Sequence, residues 1–235
     1  MERPYDSLTL YSGPLSMFGA KAEIALREKG QEFELVMVPF VKGDRYDPKH
    51  PEVLRINPKG QVPVLVHAGA EGRGAVELFD STQIFEYLED AFPVPALWPK
   101  DVFARAEARQ LELKSDEIVF ANIARLFGLE ETPDDPVAVA ARAKAYEHYG
   151  EMEARLAGRE FLAGDFSYAD IGFFMAQFYG ERKGALMGAA TPRLLDWRAR
   201  MLTRPAVATV IGRMGRWLVS EGRPAPDYLA AAGLL

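Results

Sequence analysis

The feature that most narrows what this chain can become is a change of periodicity at the proline-rich segment FPVPALWP, residues 92–99. Before it, short apolar runs of strand length alternate with amphipathic helical patterns; after it, every segment is helical in pattern. One continuous sheet cannot thread both halves. The pattern predicts an α/β domain over 1–91, a linker over 92–102 and an all-helical domain over 103–235. With 235 residues, 49% of them hydrophobic, the chain can bury a sizeable core.

Within the first domain, residues 8–11 (LTLY) have the length and composition of a buried strand. They lead through a Gly-Pro turn into an amphipathic helix in which Met17, Ala20 and Ile24 recur at helical spacing, with Lys21 and Glu28 on another face. Gly30 stands where a helix C′ glycine is expected, and the valine-rich run 33–38 follows as a second strand, giving a βαβ unit with parallel strands. Residues 39–58, punctuated by Gly43, Pro48, Pro51 and Pro58, read as a short helix and loops. The run QVPVLV, 61–66, is strand-like but holds Pro63 near its start. That places Pro63 at a strand entrance or edge and makes a cis peptide after Val62 the expectation, with the Val62 N–H and C=O available to a ligand. A glycine-containing connection leads to a hairpin partner at 76–79, and Asp80-Ser81 then precede a helix carried by Ile84, Leu88 and Ala91.

Ser16 is thereby delivered to a helix N-terminus. Two readings attach to it: a cap that satisfies one orphan amide, or a donor beside free N–H groups and the positive end of the macrodipole, where an incoming thiol or carboxylate is favoured in its charged form. Asp80 and Ser81 carry the same pair of readings, capping or recognition of an ammonium or carboxylate.

Composition removes several function classes. A net charge of −6 without a long basic run argues against a nucleic-acid partner. No apolar stretch approaches the roughly 20 residues of a membrane span and no secretory leader pattern opens the chain, so a cytoplasmic location is the default. With no cysteine, the protein supplies no thiolate as redox nucleophile or soft metal ligand. His50, His67 and His148 show no close ligand spacing, so no metal site is expected and each reads as a surface or packing residue.

In the second half, residues 103–129 carry one stripe at Leu113, Phe120, Ala124 and Phe127 and another at Leu111 and Ile118. They predict a long helix covered on two sides, once by its own domain and once by the first domain or a partner subunit. A turn at 132–136 leads to a second long helix, 137–156, ending at Gly158. Ser167 and Asp170 form an S-x-x-D capping box opening IGFFMAQFYG, apolar on nearly every side and so a helix for the centre of a bundle. Both residues are assigned to folding. Pro192 and Pro205 open the last two long helices, and 222–235 is a tail that folds back or frays.

With these pieces placed, the chain resembles a cytosolic glutathione transferase over essentially its whole length. LYSGPLS sets Ser16 five residues after Tyr11, the offset of the catalytic serine in serine-type members, and SMFGAKAEIAL is similar to the theta/zeta-like, bacterial-style pattern. NPKGQVPVL resembles the family's cis-proline loop and DSTQIFEYLED its acidic-plus-serine motif. The resemblance implies a thioredoxin-like first domain, β-α-β-α-β-β-α, binding glutathione as co-substrate through Gln61, Val62, Pro63, Asp80 and Ser81. The helical domain carries most of the second-substrate site. Gly60 stands where many members have a cation for the glycyl carboxylate, so Lys59 or Lys42 is expected to substitute. Met17, Phe18 and Phe120 are expected walls for a small apolar electrophile, and a homodimer is expected.

The implied chemistry is thiol activation, with Ser16 donating to sulfur and acting as no nucleophile itself; its motif holds no histidine to serve as a base. The chain departs from the zeta isomerases, reading Ser16-Met17-Phe18 where they have Ser-Ser-Cys. Conjugation therefore stands beside glutathione-dependent peroxide reduction, dehalogenation or isomerisation, and beside a non-catalytic binding module of the same fold.

Overall fold

β1 (Ser7–Ser12) lies inside a four-stranded sheet, and the computed structural model describes residues 7–40, 49–69 and 74–235. Next in the chain come α1 (Met17–Glu28), β2 (Glu34–Met37), α2 (Pro51–Ile56), β3 (Val64–Ala68), β4 (Val76–Phe79) and α3 (Ser81–Ala91). The sheet order is β2-β1-β3-β4, with β1 and β2 parallel and the other pairs antiparallel. This is the α/β thioredoxin-like architecture expected for the first half. Here β3 begins at Val64, after Pro63 and not at Gln61, because a proline has no N–H to give to the ladder. The Val62–Pro63 peptide is cis.

Alternation along the strands sorts the side chains onto two faces. Leu10, opposite Leu65, faces α1 and α3 together with Leu8, against buried Ile24, Leu26, Ile84, Phe85 and Leu88. Tyr11, Val64, Val66 and Phe79 project from the other face into a cluster with Val38, Val53 and Ile56, the last two from α2. α1 ends in a Schellman motif: Gly30 at φ +67° lets its own N–H reach Arg27 O at 3.0 Å and that of Gln31 reach Leu26 O at 3.0 Å. Lys21, read from the sequence as part of a polar face, is fully buried. Its ammonium stands over the rings of Phe18 and Phe85 at 5.6 and 5.1 Å, a cation–π environment that periodicity alone does not reveal. Lys29 at the end of α1 pairs with Glu89 of α3 and donates to Pro95 O at 2.7 Å, fixing the chain where it leaves the sheet domain.

The chain divides into two compact units at Pro95–Ala96. The second unit is all helical: α4 (Val102–Lys114), a π-helical turn (Ser115–Phe120), α5 (Ala121–Ala124), α6 (Pro136–Arg155), α7 (Tyr168–Arg182), α8 (Pro192–Thr203), α9 (Pro205–Ser220) and α10 (Asp227–Ala231). The single long helix expected over 103–129 is thus interrupted. The π turn adds a residue to one turn, and the buried positions become Leu111, Ser115, Val119 and Ile123, while Leu113, Ile118 and Phe127 are exposed. The stripes assume an unbroken 3.6-residue period, and the insertion shifts the phase so that Leu111 and Ile118 do not share one buried face.

α7 is buried continuously from Tyr168 to Gly180, as its all-round apolar sequence requires. Its capping box forms, and Asp170 does more than cap. Its carboxylate accepts from Leu162 N (2.9 Å), Ser167 N (3.0 Å), Ser167 Oγ (3.2 Å) and Trp197 Nε1 (2.9 Å), tying α7 to the preceding turn and to α8. α8 has no side-chain cap of its own; Glu153 of α6 accepts from Arg193 N at 3.1 Å and Leu194 N at 2.9 Å instead. The tail folds back, with Leu229 buried and Leu234 O accepting from Arg216.

Burial pushes the Asp170 carboxyl up from 3.8 to about 6, against the opposing pull of its four donors. Its protonation therefore favours the folded state: the contribution is complete below pH 3.8 and is lost as pH rises through about 6. In denaturant unfolding, wild type is expected to lose stability relative to Asp170→Asn over that interval and to run parallel to it above. Asp170→Ala, which orphans four buried donors, should cost more than about 3 kcal/mol.

Candidate functional site

Register brings distant segments together. Tyr11 of β1 pairs with Val64 of β3, and Val64 with Phe79 of β4, so three strands come level at one end of the sheet. The chain segments just beyond this row are the β1–α1 turn with Ser16, the Val62–Pro63 entry to β3, and Asp80-Ser81 at the start of α3. Neighbouring strands lie about 4.8 Å apart, so segments separated by more than sixty positions in sequence converge on one edge.

Two helix N-termini open at this edge, α1 and α3; α1 carries no acidic residue at its start, while the carboxylate of Asp80 caps α3. The first-turn amides and positive dipole end of α1 make its side of the edge suited to an anion. Ser16 is the α1 N-cap, and its Oγ accepts from Gly19 N at 2.9 Å. A hydroxyl has two lone pairs and one proton, so capping occupies an acceptor site and leaves the proton to donate. Ser16 is 6% exposed. Tyr11, by alternation, projects from the opposite face of the sheet, where its ring tilts against His50 at 4.9 Å and burial raises its phenol pKa. Ser12, not Tyr11, shares the α1 side: a Cβ built on Gly19 would lie 2.1 Å from Ser12 Oγ and 3.0 Å from Ser16 Oγ.

Asp80 is, among the described residues, the one non-glycine with positive φ, at +76° with ψ 128°. Such a conformation costs on the order of 1–3 kcal/mol and is found preferentially at functional sites. Its Oδ1 accepts from Thr82 N at 3.0 Å and Gln83 N at 3.3 Å, and Oδ2 is not used by the cap. Ser81, the first residue of α3, is buried.

The loop into Val62 is held by Asn57, which sequence reading passed over as a positioning residue. Asn57 Oδ1 accepts from Lys59 N at 3.0 Å, its Nδ2 donates to Gln61 O at 2.6 Å, and its carbonyl accepts from Gly60 N at 2.7 Å. Gln61 is exposed, while Val62 and Pro63 are buried. Gly60 has φ +58°, and Lys49 lies directly over it: a Cβ there would meet Lys49 Nζ at 2.8 Å. Lys49 is therefore a cation at this loop that the sequence reading did not name. The glycine was the signal, because its missing side chain makes room for the lysine. Lys59 is exposed, and Lys42 lies outside the described residues. Met17 is buried at 3% exposure and Phe18 half-buried. Phe120 belongs to the helical unit, edge-on to Phe127 (6.3 Å) and Tyr179 (5.6 Å).

Comparison with known proteins gives the same division of the chain. Residues 10–96 match the family model for the glutathione S-transferase N-terminal domain and residues 117–205 that for the glutathione S-transferase C-terminal domain. The chain is 30% identical over 211 residues to glutathione S-transferase 3 of Zea mays, covering 85% of this chain and 90% of the relative. It is 39% identical over 122 residues to glutathione S-transferase 1 of Dianthus caryophyllus, a match spanning 52% of this chain and about half (49%) of that relative's length. Among solved structures, it superposes on a glutathione transferase family member from Pseudomonas fluorescens, crystallised with two glutathione bound, with a TM-score of 0.74 at 25% identity, covering 89% of this chain and 94% of the other.

Close packing at the head of α1 gives a test. Gly→Ala inside a helix ordinarily gains about 1 kcal/mol. Gly19→Ala should instead destabilise the protein in urea unfolding, because its Cβ drives into Ser12 Oγ, and Ser12→Ala combined with Gly19→Ala should recover part of the loss.

Proposed function

Because this chain belongs to the glutathione S-transferase family, we propose that it is a serine-type member in which Ser16 activates the glutathione thiol for attack on a small apolar electrophile. The observation that carries the reading is the convergence of Ser16, Val62 and Asp80 on the sheet edge where the N-termini of α1 and α3 open, α1 without an acidic residue and α3 capped by Asp80.

A free thiol has a pKa near 8.5 and is mostly protonated at neutral pH. Glutathione bound with its sulfur at the head of α1 receives the Ser16 proton in a hydrogen bond, while the Gly19 amide holds the serine oxygen in place. Both the donor and the helix pole favour the thiolate, which lowers the pKa. The sulfur electron pair then forms a bond to an electrophilic carbon as the leaving group departs with its own pair. Ser16 thus remains a hydrogen-bond donor throughout.

The rest of the tripeptide is assigned by chemistry. Val62, outside the sheet ladder at the entry to β3, offers its N–H and C=O to the cysteinyl backbone, with Gln61 and Pro63 shaping the strand entrance. Asp80 Oδ2, unused by the cap, suits the γ-glutamyl ammonium, and the Ser81 hydroxyl suits its carboxylate. Lys49 joins Lys59 as a cation for the glycyl carboxylate. Met17 and Phe18 are the walls that the first domain gives the electrophile, and no metal takes part. By likeness to the family the enzyme acts in the cytoplasm as a homodimer, for which a monomeric mass in sedimentation would be the contrary result.

The test combines turnover of an aryl halide with glutathione and calorimetric glutathione binding. Ser16→Ala should lower kcat about 100-fold while changing the glutathione Kd less than threefold, since the donor bond strengthens as charge develops on sulfur. Lys49→Met and Asp80→Ala should instead weaken glutathione binding about tenfold each. Unchanged turnover in Ser16→Ala would remove the serine from the mechanism.

A further inference from the structure

Ser16 holds its hydroxyl on a side chain with one heavy-atom torsion, so whatever fixes that torsion bears on what the hydroxyl can do. Its backbone is set from both sides: Ser16 N donates to Gly13 O at 3.0 Å, and Ala20 N donates to Ser16 O at 2.9 Å. The torsion is left to a single contact, the Gly19 amide, which donates to Ser16 Oγ at 2.9 Å. The placement of that amide therefore decides where the hydroxyl points.

Gly19 is placed by close packing. The space that a Cβ would take is filled by Ser12 Oγ, 2.1 Å from that position, while Cβ and Oγ of Ser16 each lie 3.0 Å from it. Two serine side chains thus meet the bare α-carbon of one glycine. Ser12 cannot easily give way, because it is 1% exposed and tied into the sheet: it stands opposite Met37 of β2, and its carbonyl accepts from Val38 N at 2.8 Å. Strand β1 therefore seats the first turn of α1 through one oxygen atom. Glycine is a poorer helix former than alanine, so local preference opposes it at position 19 and the space requires it.

Given the donor role proposed for Ser16, on which this rests, we infer that Gly19 and Ser12 are positioning residues for thiol activation. Ser12 Oγ seats Gly19 against β1, and the Gly19 amide so placed holds the Ser16 oxygen by one lone pair and leaves its proton directed at the sulfur. Both residues act through Ser16 and neither is asked to touch the substrate. A hydrogen bond weakens steeply as its angle closes, so a small displacement of Ser16 Oγ costs thiolate stabilisation. The contacts proposed for the rest of glutathione lie on other segments, at Val62 and Asp80, and are left in place. Disturbing the seat should therefore separate thiol activation from ligand affinity.

The experiment titrates the thiolate absorbance of glutathione bound to Gly19→Ala, Ser12→Ala and the double variant, beside wild type and Ser16→Ala. Gly19→Ala should raise the bound-thiol pKa by about half a unit and lower kcat with an aryl halide about tenfold. Affinity for S-methylglutathione, which has no thiol to ionise, should change by less than about threefold. Ser12→Ala deletes one oxygen, should fold normally, and should give a smaller rise. The double variant moves one heavy atom from strand to helix at nearly constant volume, so it should return pKa and kcat most of the way to wild type. If Gly19→Ala folds poorly, Ser12→Ala and the double variant decide by the same readouts. Lowered stability with a wild-type bound-thiol pKa in both single variants, or a double variant as impaired as Gly19→Ala, would overturn the positioning role while a raised pKa in Ser16→Ala leaves the donor role standing. A wild-type pKa in Ser16→Ala would overturn both.

Discussion

Antiparallel pairing of β3 with its neighbours sets Tyr11, Val64 and Phe79 in one row, and the convergence of segments at the sheet edge rests on that register. A slip of one residue would turn Leu10, Leu65 and Leu78 from the helix-covered face to the other and break both cores together. The register is therefore locked by burial, and the segments that follow the row inherit its precision. Ser16, Val62 and Asp80 need no direct bond to one another, because each is fixed by its own local device: a cap to Gly19, a loop braced by Asn57, and a cap to Thr82 and Gln83 at a strained backbone. Rigid elements hold the groups before any ligand arrives.

The helical unit is organised by a different constraint. α7 has hardly any solvent face, so its polar groups must be satisfied from within, and Asp170 concentrates that burden. One carboxylate joins the turn before α7, its N-terminus and Trp197 of α8. Glu153 performs the equivalent service for α8. Buried acids thus act as connectors here, and the exposed, strained Asp80 differs from them in leaving its Oδ2 outside the cap.

Much of this was legible in the sequence because it is carried by local signals. The β-α-β-α-β-β-α order, the C′ glycine at Gly30, the cis peptide at Pro63 and the capping box at Ser167 each depend on a few adjacent residues. The dual reading of Ser16 is also available there; the cap uses a lone pair of its oxygen, which leaves the proton for the donor role proposed above. What stayed hidden depends on partners distant in the chain. Lys21 looked like a surface charge because the ring of Phe85, sixty-four positions on, cannot be placed by periodicity. The π turn at 115–120 replaced two apparent stripes with a different buried face. Lys49 came to light only through the space above Gly60.

The role of Ser16 is tested most directly by titrating the thiolate absorbance of glutathione bound to wild type and to Ser16→Ala. A bound-thiol pKa about one unit or more below the free value of about 8.5 in wild type, returning most of the way in the variant, is the expected result. The same pKa in both proteins would contradict a hydroxyl that donates to sulfur.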